Sequence, residues 1–336
     1  MKSKEKTSRI IPRKSLPSFI YALYALNDGR IAIGGENSLS IYNMKTYRVD
    51  IQININIQKV KFIFQLSDNK LFYFTFSHET EWAYTDDYYY NYLIELSGNT
   101  YKDVSKILPQ SSLYNILREY SDKILFGGIS YSSKKKDSYH TTNARGEKRI
   151  EKLEKCEKIN EQKSEKENDL QEKYQITKSV DIDFEDFLFL NKDLIVVLLI
   201  DRLAFYDVKE LKKVRSSPKI SNKYECLKFA LYNEKFILIG TEENVEIFDL
   251  QNNKIVKSIF LIYDIQKIYV YQNRAFILES EVSDTRIAEY EIDETGNYKE
   301  IDSFDNPHRS DLTDIIHTKD GRLITSCQFN VKIWYF

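Results

Sequence analysis

The side chains best able to do chemistry are few and scattered along the chain. The sequence holds four histidines and three cysteines: His78, His140, His308, His317, Cys156, Cys226 and Cys327. Metal sites usually draw such ligands from closely spaced pairs, and no such pair occurs here. The odd number of cysteines, without a C-x-x-C motif, argues against a disulfide framework and favours a reducing compartment. The sequence therefore predicts no metal and no cofactor.

Acidic pairs and paired glycines give no stronger signal for catalysis. Asp86-Asp87 and the pair Asp181/Asp183 could bind a cation, but neither has the D-x-D-x-D-G spacing of a calcium loop. Gly34-Gly35 and Gly127-Gly128 follow apolar runs without a phosphate-binding pattern, so close packing of strands explains them better. No G-x-S-x-G nucleophile motif occurs either. The sequence thus predicts a protein without catalytic residues that is not an enzyme.

Two long segments carry residues suited to contacting a partner. The first runs from Trp82 to Tyr92 and interleaves tyrosines with acids, and Tyr supplies contact area at low entropic cost. The second is an insertion, roughly Ser132 to Lys178, that opens with three lysines. The predicted partner-binding residues are Trp82, Tyr84, Tyr88, Tyr89, Tyr90, Lys134, Lys135 and Lys136. The alternative is that the tyrosines are ordinary strand residues that pack into a sheet.

The middle of the insertion is almost purely charged, from 147 to 173. Glu151/Lys155 and Glu154/Lys158 are i,i+4 pairs in the orientation that stabilises a helix, and the segment is long enough to form one. Its apolar residues are too sparse for a sustained coiled-coil seam. We predict a solvated helix of coiled-coil-like composition, with a loop without fixed structure as the alternative.

The elements that position these segments recur along the chain. Seven times, a short turn rich in Asn, Asp and Lys precedes an apolar run, which is the signature of a β-hairpin. These turns lie at 27–30, 68–70, 121–123, 191–193, 233–235, 272–274 and 319–322. A second strand with an apolar-any-apolar-aromatic pattern follows most of them. The abundance of Tyr (25) and Phe (19) suits such strands.

The repeats predict a closed ring of small sheets. One unit cannot bury its own faces, whereas units stacked around an axis can, at roughly 40–45 residues per four-stranded blade. The units begin near residues 18, 57, 111, 183, 222, 262 and 306. The last unit has only three strands, and a segment within 7–14 supplies a plausible ring-closing fourth. The predicted fold is an all-β, seven-bladed β-propeller of four-stranded antiparallel blades, formed as one domain over 1–336 with the insertion in the third blade.

The ends of several predicted strands resemble those of the WD-repeat β-propeller family, whose blades carry Trp-Asp at this place. The corresponding pairs are Tyr42-Asn43, Tyr206-Asp207, Phe248-Asp249, Tyr290-Glu291 and Trp334-Tyr335. Family blades also carry an early Gly-His pair, which does not occur here, so the family's internal His–Asp network is not expected. The resemblance implies joined chain termini and a role in assembling complexes.

The charge and hydropathy of the chain bound its partners. The net charge of −2 is too small to predict nucleic-acid binding. The N-terminus lacks an apolar signal region, and the longest apolar run, 187–200, is interrupted and too short to span a bilayer. We therefore predict a soluble cytoplasmic protein without a transmembrane segment. Weak membrane contact stays open as an alternative through the basic residues Lys2, Lys4, Lys6, Arg9, Arg13 and Lys14.

Two functional hypotheses follow from the sequence. The first is a non-enzymatic scaffold that positions partner proteins of unknown identity through a propeller face and the long loops of blades two and three. The alternative is a propeller enzyme or small-ligand binder that uses the central channel. An enzyme would need acids or histidines on the inner strands, and inner-strand candidates such as 187–189 and 268–270 are mostly apolar.

Overall fold

The structure is a computed structural model and consists of β-strands joined by short connections. It describes residues 7–13, 16–81, 84–105, 113–120, 123–132, 148–162, 170–182, 184–220, 228–242, 244–281, 284–305, 307–308, 310 and 312–335. These residues form 26 strands and no α-helix. The strands make six antiparallel sheets, of which five have four strands and one has six.

The six-stranded sheet joins two blades. Its strands, in spatial order, are β2 (Ile20–Ala25), β3 (Ile31–Asn43), β4 (Arg48–Gln65), β5 (Lys70–Glu81), β6 (Tyr84–Ser97) and β7 (Thr100–Asp103). The first half of β3 pairs with β2 and its second half with β4, and Asn37 between them has a φ of 61°. β4 is divided in the same way, because 48–54 pair with β3 and 59–65 pair with β5. β3 thus supplies two strands of the first blade, and β4 links the first blade to the second.

The other five sheets are single blades. The third and fourth contain β8 (Leu113–Tyr120), β9 (Lys123–Ser132), β10 (Lys148–Gln162), β11 (Leu170–Asp181), then β12 (Asp186–Phe189), β13 (Leu194–Leu198), β14 (Leu203–Asp207) and β15 (Lys213–Ser216). The fifth and sixth contain β16 (Lys228–Leu231), β17 (Phe236–Gly240), β18 (Asn244–Asp249), β19 (Lys254–Phe260), then β20 (Ile265–Tyr271), β21 (Arg274–Glu281), β22 (Asp284–Ile292) and β23 (Tyr298–Asp305). The seventh contains β24 (Leu312–His317), β25 (Leu323–Cys327), β26 (Asn330–Tyr335) and β1 (Thr7–Ile10).

The blades form a closed ring. The innermost strands are β2, β4, β8, β12, β16, β20 and β24, and each contacts the next, with β24 in contact with β2. The described residues therefore build a seven-bladed β-propeller of four-stranded antiparallel blades, and the predicted fold class is confirmed. Each blade is a meander from an inner to an outer strand. Connections between second and third strands consequently share one face of the ring, here called the upper face, and connections between third and fourth strands lie on the lower face.

The N-terminal strand belongs to the last blade. β1 runs antiparallel to β26, with Thr7 opposite Tyr335 and Ile10 opposite Lys332. Just beyond β1, the Ile11 amide donates a hydrogen bond to the Val331 carbonyl at 3.0 Å, and the Ile11 side chain is buried. The outer strand of the seventh blade is thus supplied by the opposite end of the chain.

The hydrophobic core lies between neighbouring blades. Buried clusters join Leu153 to Phe187 across blades three and four, and Phe205 to Phe248 across blades four and five. Tight packing at the first blade requires glycine: a Cβ on Gly35 would lie 2.0 Å from the Phe19 carbonyl oxygen, and one on Gly34 would lie 2.6 Å from Val60. The interpretation of Gly34-Gly35 as a close-packing pair is confirmed.

The helix predicted for the insertion, and with it the coiled coil, is wrong for the described residues. β10 pairs with β9 over 148–156 and with β11 over 152–162, so the charged segment forms the third and fourth strands of its blade. An i,i+4 ion pair stabilises a helix by about 0.2–0.5 kcal/mol, whereas burying one Leu contributes about 1.5–3 kcal/mol. Leu153 is fully buried in the blade, which helix formation would forfeit.

A histidine-centred hydrogen-bond network occupies the last blade, contrary to expectation. The Trp334 Nε1–H donates to Thr325 Oγ1 at 2.9 Å, and Thr325 Oγ1 lies 2.7 Å from His308 Nε2. His308 Nδ1 lies 2.7 Å from Asn330 Oδ1. Because Asn330 Oδ1 can only accept, Nδ1 carries the proton and Nε2 accepts from the Thr325 hydroxyl. The network ties the start of the blade to its second and third strands, with an amide where an acid was expected in the family.

Candidate binding surfaces

The tyrosine-rich segment forms a hairpin that extends past the ring. The inner strand β4 pairs with β5 only as far as Phe76, while β5 and β6 continue to pair until Glu81 meets Tyr84. Residues 77–81 and 84–88 are here called the upper ribbon. At about 3.3 Å per residue its five paired positions extend about 17 Å beyond the inner strand. The ribbon therefore stands on the upper face of the second blade.

The structure places the predicted site residues unevenly. Tyr84, Tyr88, Tyr89 and Tyr90 lie on β6, and Tyr90 is exposed. Trp82, Lys134, Lys135 and Lys136 lie outside the described residues. The third blade also lengthens on the upper face, because β9 and β10 pair up to Ser132 and Lys148, beyond the last contact of β8 at Ile129. The sequence between β9 and β10, 133–147, contains the three lysines.

Tyr92, which follows the predicted residues, shows the ordinary strand role instead. Its ring stacks on Tyr73 at 4.9 Å with an interplanar angle of 13°, and its hydroxyl donates to Gln58 Oε1 at 3.3 Å. Burial raises the pKa of both hydroxyls, so both rings are neutral at physiological pH. The tyrosine cluster therefore divides into an exposed part at Tyr90 and a packed part at Tyr92.

The lower face carries a ribbon of its own. β10 and β11 continue to pair from Glu157/Gln175 to Gln162/Leu170, beyond the last β9 partner at Ile124. These residues, 157–162 and 170–175, are here called the lower ribbon. The third blade thus lengthens on both faces of the ring, through the β9–β10 hairpin above and the lower ribbon below.

A cavity of about 750 Å³ fills the central channel. Residues from all seven inner strands line it. Two ion pairs cross between blades there: Arg118 Nη2 lies 3.1 Å from Asp186 Oδ1, and Lys267 binds Asp314. Asp314 Oδ2 also accepts the Leu23 amide at 2.7 Å, which links the first, sixth and seventh blades. Charged residues beside the apolar inner-strand runs thus also line the channel.

His317 belongs to an aromatic stack in the channel wall. Its ring lies 4.2 Å from Tyr271 and 5.6 Å from Tyr269, nearly parallel to both. Its backbone amide donates to the Tyr269 hydroxyl at 3.1 Å. Burial lowers the pKa of His317 to about 4, so the imidazole is neutral near pH 7. A neutral ring between two tyrosines presents a flat, weakly polar wall.

A smaller cavity of about 360 Å³ lies between the first two blades, and the contacts of its arginine are all within the protein. Arg30 binds Asp28 at 2.7 Å and donates to the Gly98 carbonyl at 2.6 Å. Its charge is thereby satisfied within the ring. Over the described residues, no group of three or more His, Cys, Asp or Glu side chains could hold a metal ion. Nor does the described part of the chain contain a helix long and apolar enough to cross a membrane.

Solved structures share this architecture. No protein-family model matches the sequence, and no curated protein does. A chain of the "Crystal Structure of Mitotic Checkpoint Complex" is 8% identical with a TM-score of 0.65, over 98% of this chain and 91% of that one. The "Streptogramin B lyase structure" is 11% identical, with a TM-score of 0.62 over 98% and 97%. The "WD40 beta propeller domain of Doa1" is 8% identical, with a TM-score of 0.58 over 98% and 97%. At these identities the likeness concerns the fold alone, which is a β-propeller.

Proposed function

We propose that the protein is a non-enzymatic scaffold that holds partner proteins on the upper face of one propeller domain. The observation that carries this proposal is the upper ribbon together with the extended β9–β10 hairpin on the neighbouring blade. Both project from the same face on neighbouring blades; the first is acidic and rich in tyrosine, and the sequence that connects β9 to β10 is rich in lysine. Such a surface can contact a partner through rigid aromatic side chains and complementary charges at once.

The structural comparisons support a scaffold without deciding it. Two of the similar structures are described by a checkpoint complex and a WD40 domain, and one is a lyase. The proposed partners are proteins rather than nucleic acid, because the chain has a net charge of −2. A cytoplasmic location stays a prediction.

The register of the hairpins provides clean variants for a test. Ser77 and Tyr88 are cross-strand partners, so Asn-Gly can replace 78–87 as a two-residue hairpin turn. Ser132 and Lys148 allow the same replacement of 133–147. Lys158 and Tyr174 allow replacement of 159–173, which removes most of the lower ribbon and serves as the matched control. All three variants keep every inner strand.

Each variant is compared with the parent by affinity purification and quantitative mass spectrometry from native cells. We expect the two upper-face variants to lose the same specific partners by at least fivefold, while the lower-face variant retains them. Circular dichroism and the melting temperature establish that each ring is folded. If the upper-face variants keep the full partner set, or if only the lower-face variant loses it, the proposed surface is wrong.

A further inference from the structure

The central channel carries unbalanced positive charge. Once the Arg118–Asp186 and Lys267–Asp314 pairs are set aside, the charged side chains that line the cavity are Lys61, Lys228, Lys319 and Glu185. The chain as a whole is slightly acidic, so this excess of ammonium groups is local. A cavity walled by low-dielectric protein strengthens such a field and raises the local concentration of anions.

Of these lysines, Lys61 has the surroundings that most favour a bound anion. Its Nζ lies 4.1 Å from the centroid of the Tyr21 ring, and Lys59 Nζ lies 5.9 Å from the same centroid. Glu36 lies opposite Lys59 in the β3–β4 pair and acts on the Tyr21 hydroxyl, whereas no carboxylate of the described residues contributes to the pKa shift of Lys61. Burial, and then the charge of Lys59, lowers the pKa of Lys61. Two lysines close to one ring repel each other, and an anion bound beside Lys61 would relieve that repulsion.

The cavity also offers flat aromatic surfaces. Tyr24 lies beside Phe64 at 5.7 Å, and Tyr271 is stacked with His317 on the part of the wall formed by the sixth and seventh blades. Aromatic faces of this kind bind planar rings by offset stacking, each contact contributing about 0.5–1.5 kcal/mol beyond the area buried. The volume of about 750 Å³ is that of an ordinary small-molecule site.

We propose that the channel cavity binds a small organic anion that carries a planar ring. Lys61 and Lys228 contact its negative group, and the tyrosine faces contact its ring. The site uses none of the residues of the upper face, so it stands independently of the proposed scaffold. It gives the ring a second binding function, in which a small molecule occupies the axis about which the blades are arranged.

Isothermal titration calorimetry on the full-length protein at pH 7 tests the proposal. Adenosine 5′-monophosphate and naphthalene-1-sulfonate are the ring-bearing anions, whereas adenosine and pyrophosphate each lack one of the two features. We expect at least one ring-bearing anion to bind at least tenfold more tightly than both adenosine and pyrophosphate. The double variant Lys61→Gln, Lys228→Gln should weaken that binding at least tenfold.

Lys257→Gln is the matched control, because Lys257 is exposed on the outer strand β19 of the fifth blade, away from the cavity. It should leave binding unchanged, and melting temperatures within 2 °C would show that all variants are folded. Three results would overturn the proposal. They are an absence of heat with both ring-bearing anions at millimolar concentration, equal affinity for adenosine or pyrophosphate, and unchanged affinity in the double variant.

Discussion

At the scale of single residues, His308 is a histidine that the fold keeps neutral. Burial, and then the nearby charge of Lys332, lowers its pKa to about 4, while the hydrogen bond to Asn330 acts in the opposite direction. Protonation would place a second N–H at Nε2, against the hydroxyl hydrogen that Thr325 now donates there. The network therefore holds only in its neutral form.

The first prediction concerns the pH dependence of stability. The pKa of His308 is about 4 in the folded protein and about 6.5 in an unfolded chain. Because the folded value is the lower one, the unfolded state binds more protons between these values. The network's contribution is fully present above pH 6.5 and is lost as the pH falls towards 4. We expect the melting temperature of His308→Gln to decline less than that of the parent between pH 7.5 and 5. Parallel declines would contradict a buried neutral histidine.

The second prediction separates the two parts of the tyrosine cluster. Tyr92→Ala removes a ring stacked on Tyr73 and should lower the free energy of unfolding by about 2 kcal/mol. Tyr90→Ala changes an exposed side chain and should stay within about 0.5 kcal/mol. Urea unfolding measures both. In the partner capture described above, only Tyr90→Ala should then show a defect without a loss of stability; a reversed order of stability effects would mean that Tyr90 is the packed residue.

Some residues of these sites could be predicted from the sequence, and others could not. His308 follows Pro307 rather than a glycine, so the Gly-His pattern does not identify it, although it stands 17 residues before its partner Thr325 and precedes Trp334 in the same unit. The sequence does not identify the channel lysines, for a different reason. Lys61 and Lys228 look like ordinary surface residues, and only the ring closure turns them inward.

At the scale of elements, the decisive feature is that strand partners outweigh local preference. The spacing of glutamate and lysine in the insertion favours a helix, yet β9 and β11 pair with this segment on both sides. Alternating hydrophobicity and turn chemistry located the hairpins because both act within a few residues. The structure of the charged segment depends on the flanking strands β9 and β11, whose pairing lies beyond the reach of the i,i+4 spacing.

The third prediction tests the strand character of the insertion. Leu153 is fully buried with Leu125 and Phe187, so Leu153→Ala should lower the free energy of unfolding by about 2–4 kcal/mol. Val214→Ala is the control, because Val214 is 61% exposed on the outer strand β15 and should change it by less than about 0.5 kcal/mol. Chemical denaturation gives both values. If Leu153→Ala left the free energy of unfolding unchanged, the segment would lie outside the core, as a free helix or loop requires.

At the scale of the whole molecule, the ring is held shut where its two ends meet. β1 pairs with β26 at four positions and also contacts the first blade. The Arg9 guanidinium stacks 3.8 Å from the centroid of the Tyr47 ring. Ile11 is buried in a cluster with Ile316, Val331 and residues of the first blade. The N-terminal segment therefore spans the boundary between the first and last blades.

The fourth prediction concerns this closure. Deletion of 1–14 removes β1 and Ile11 and should lower the melting temperature of the whole ring by at least 5 °C, in one cooperative transition. Deletion of 1–6 leaves β1 intact and should change it by less than 2 °C. Differential scanning calorimetry compares the two. Equal melting temperatures for both truncations would show that the ring does not depend on its N-terminal strand.

The pairing of β1 with β26 also sets an order of events during synthesis. The residues of β1 leave the ribosome more than three hundred positions before those of β26, their only strand partner among the described residues. At 5–20 residues per second, β1 waits roughly 15–65 s for that partner. During this interval the nascent chain contains the sequence of at most six complete blades, and β1 has no strand to pair with. The ring can close only after β26 has been synthesised, so the blades made earlier form an open arc until then.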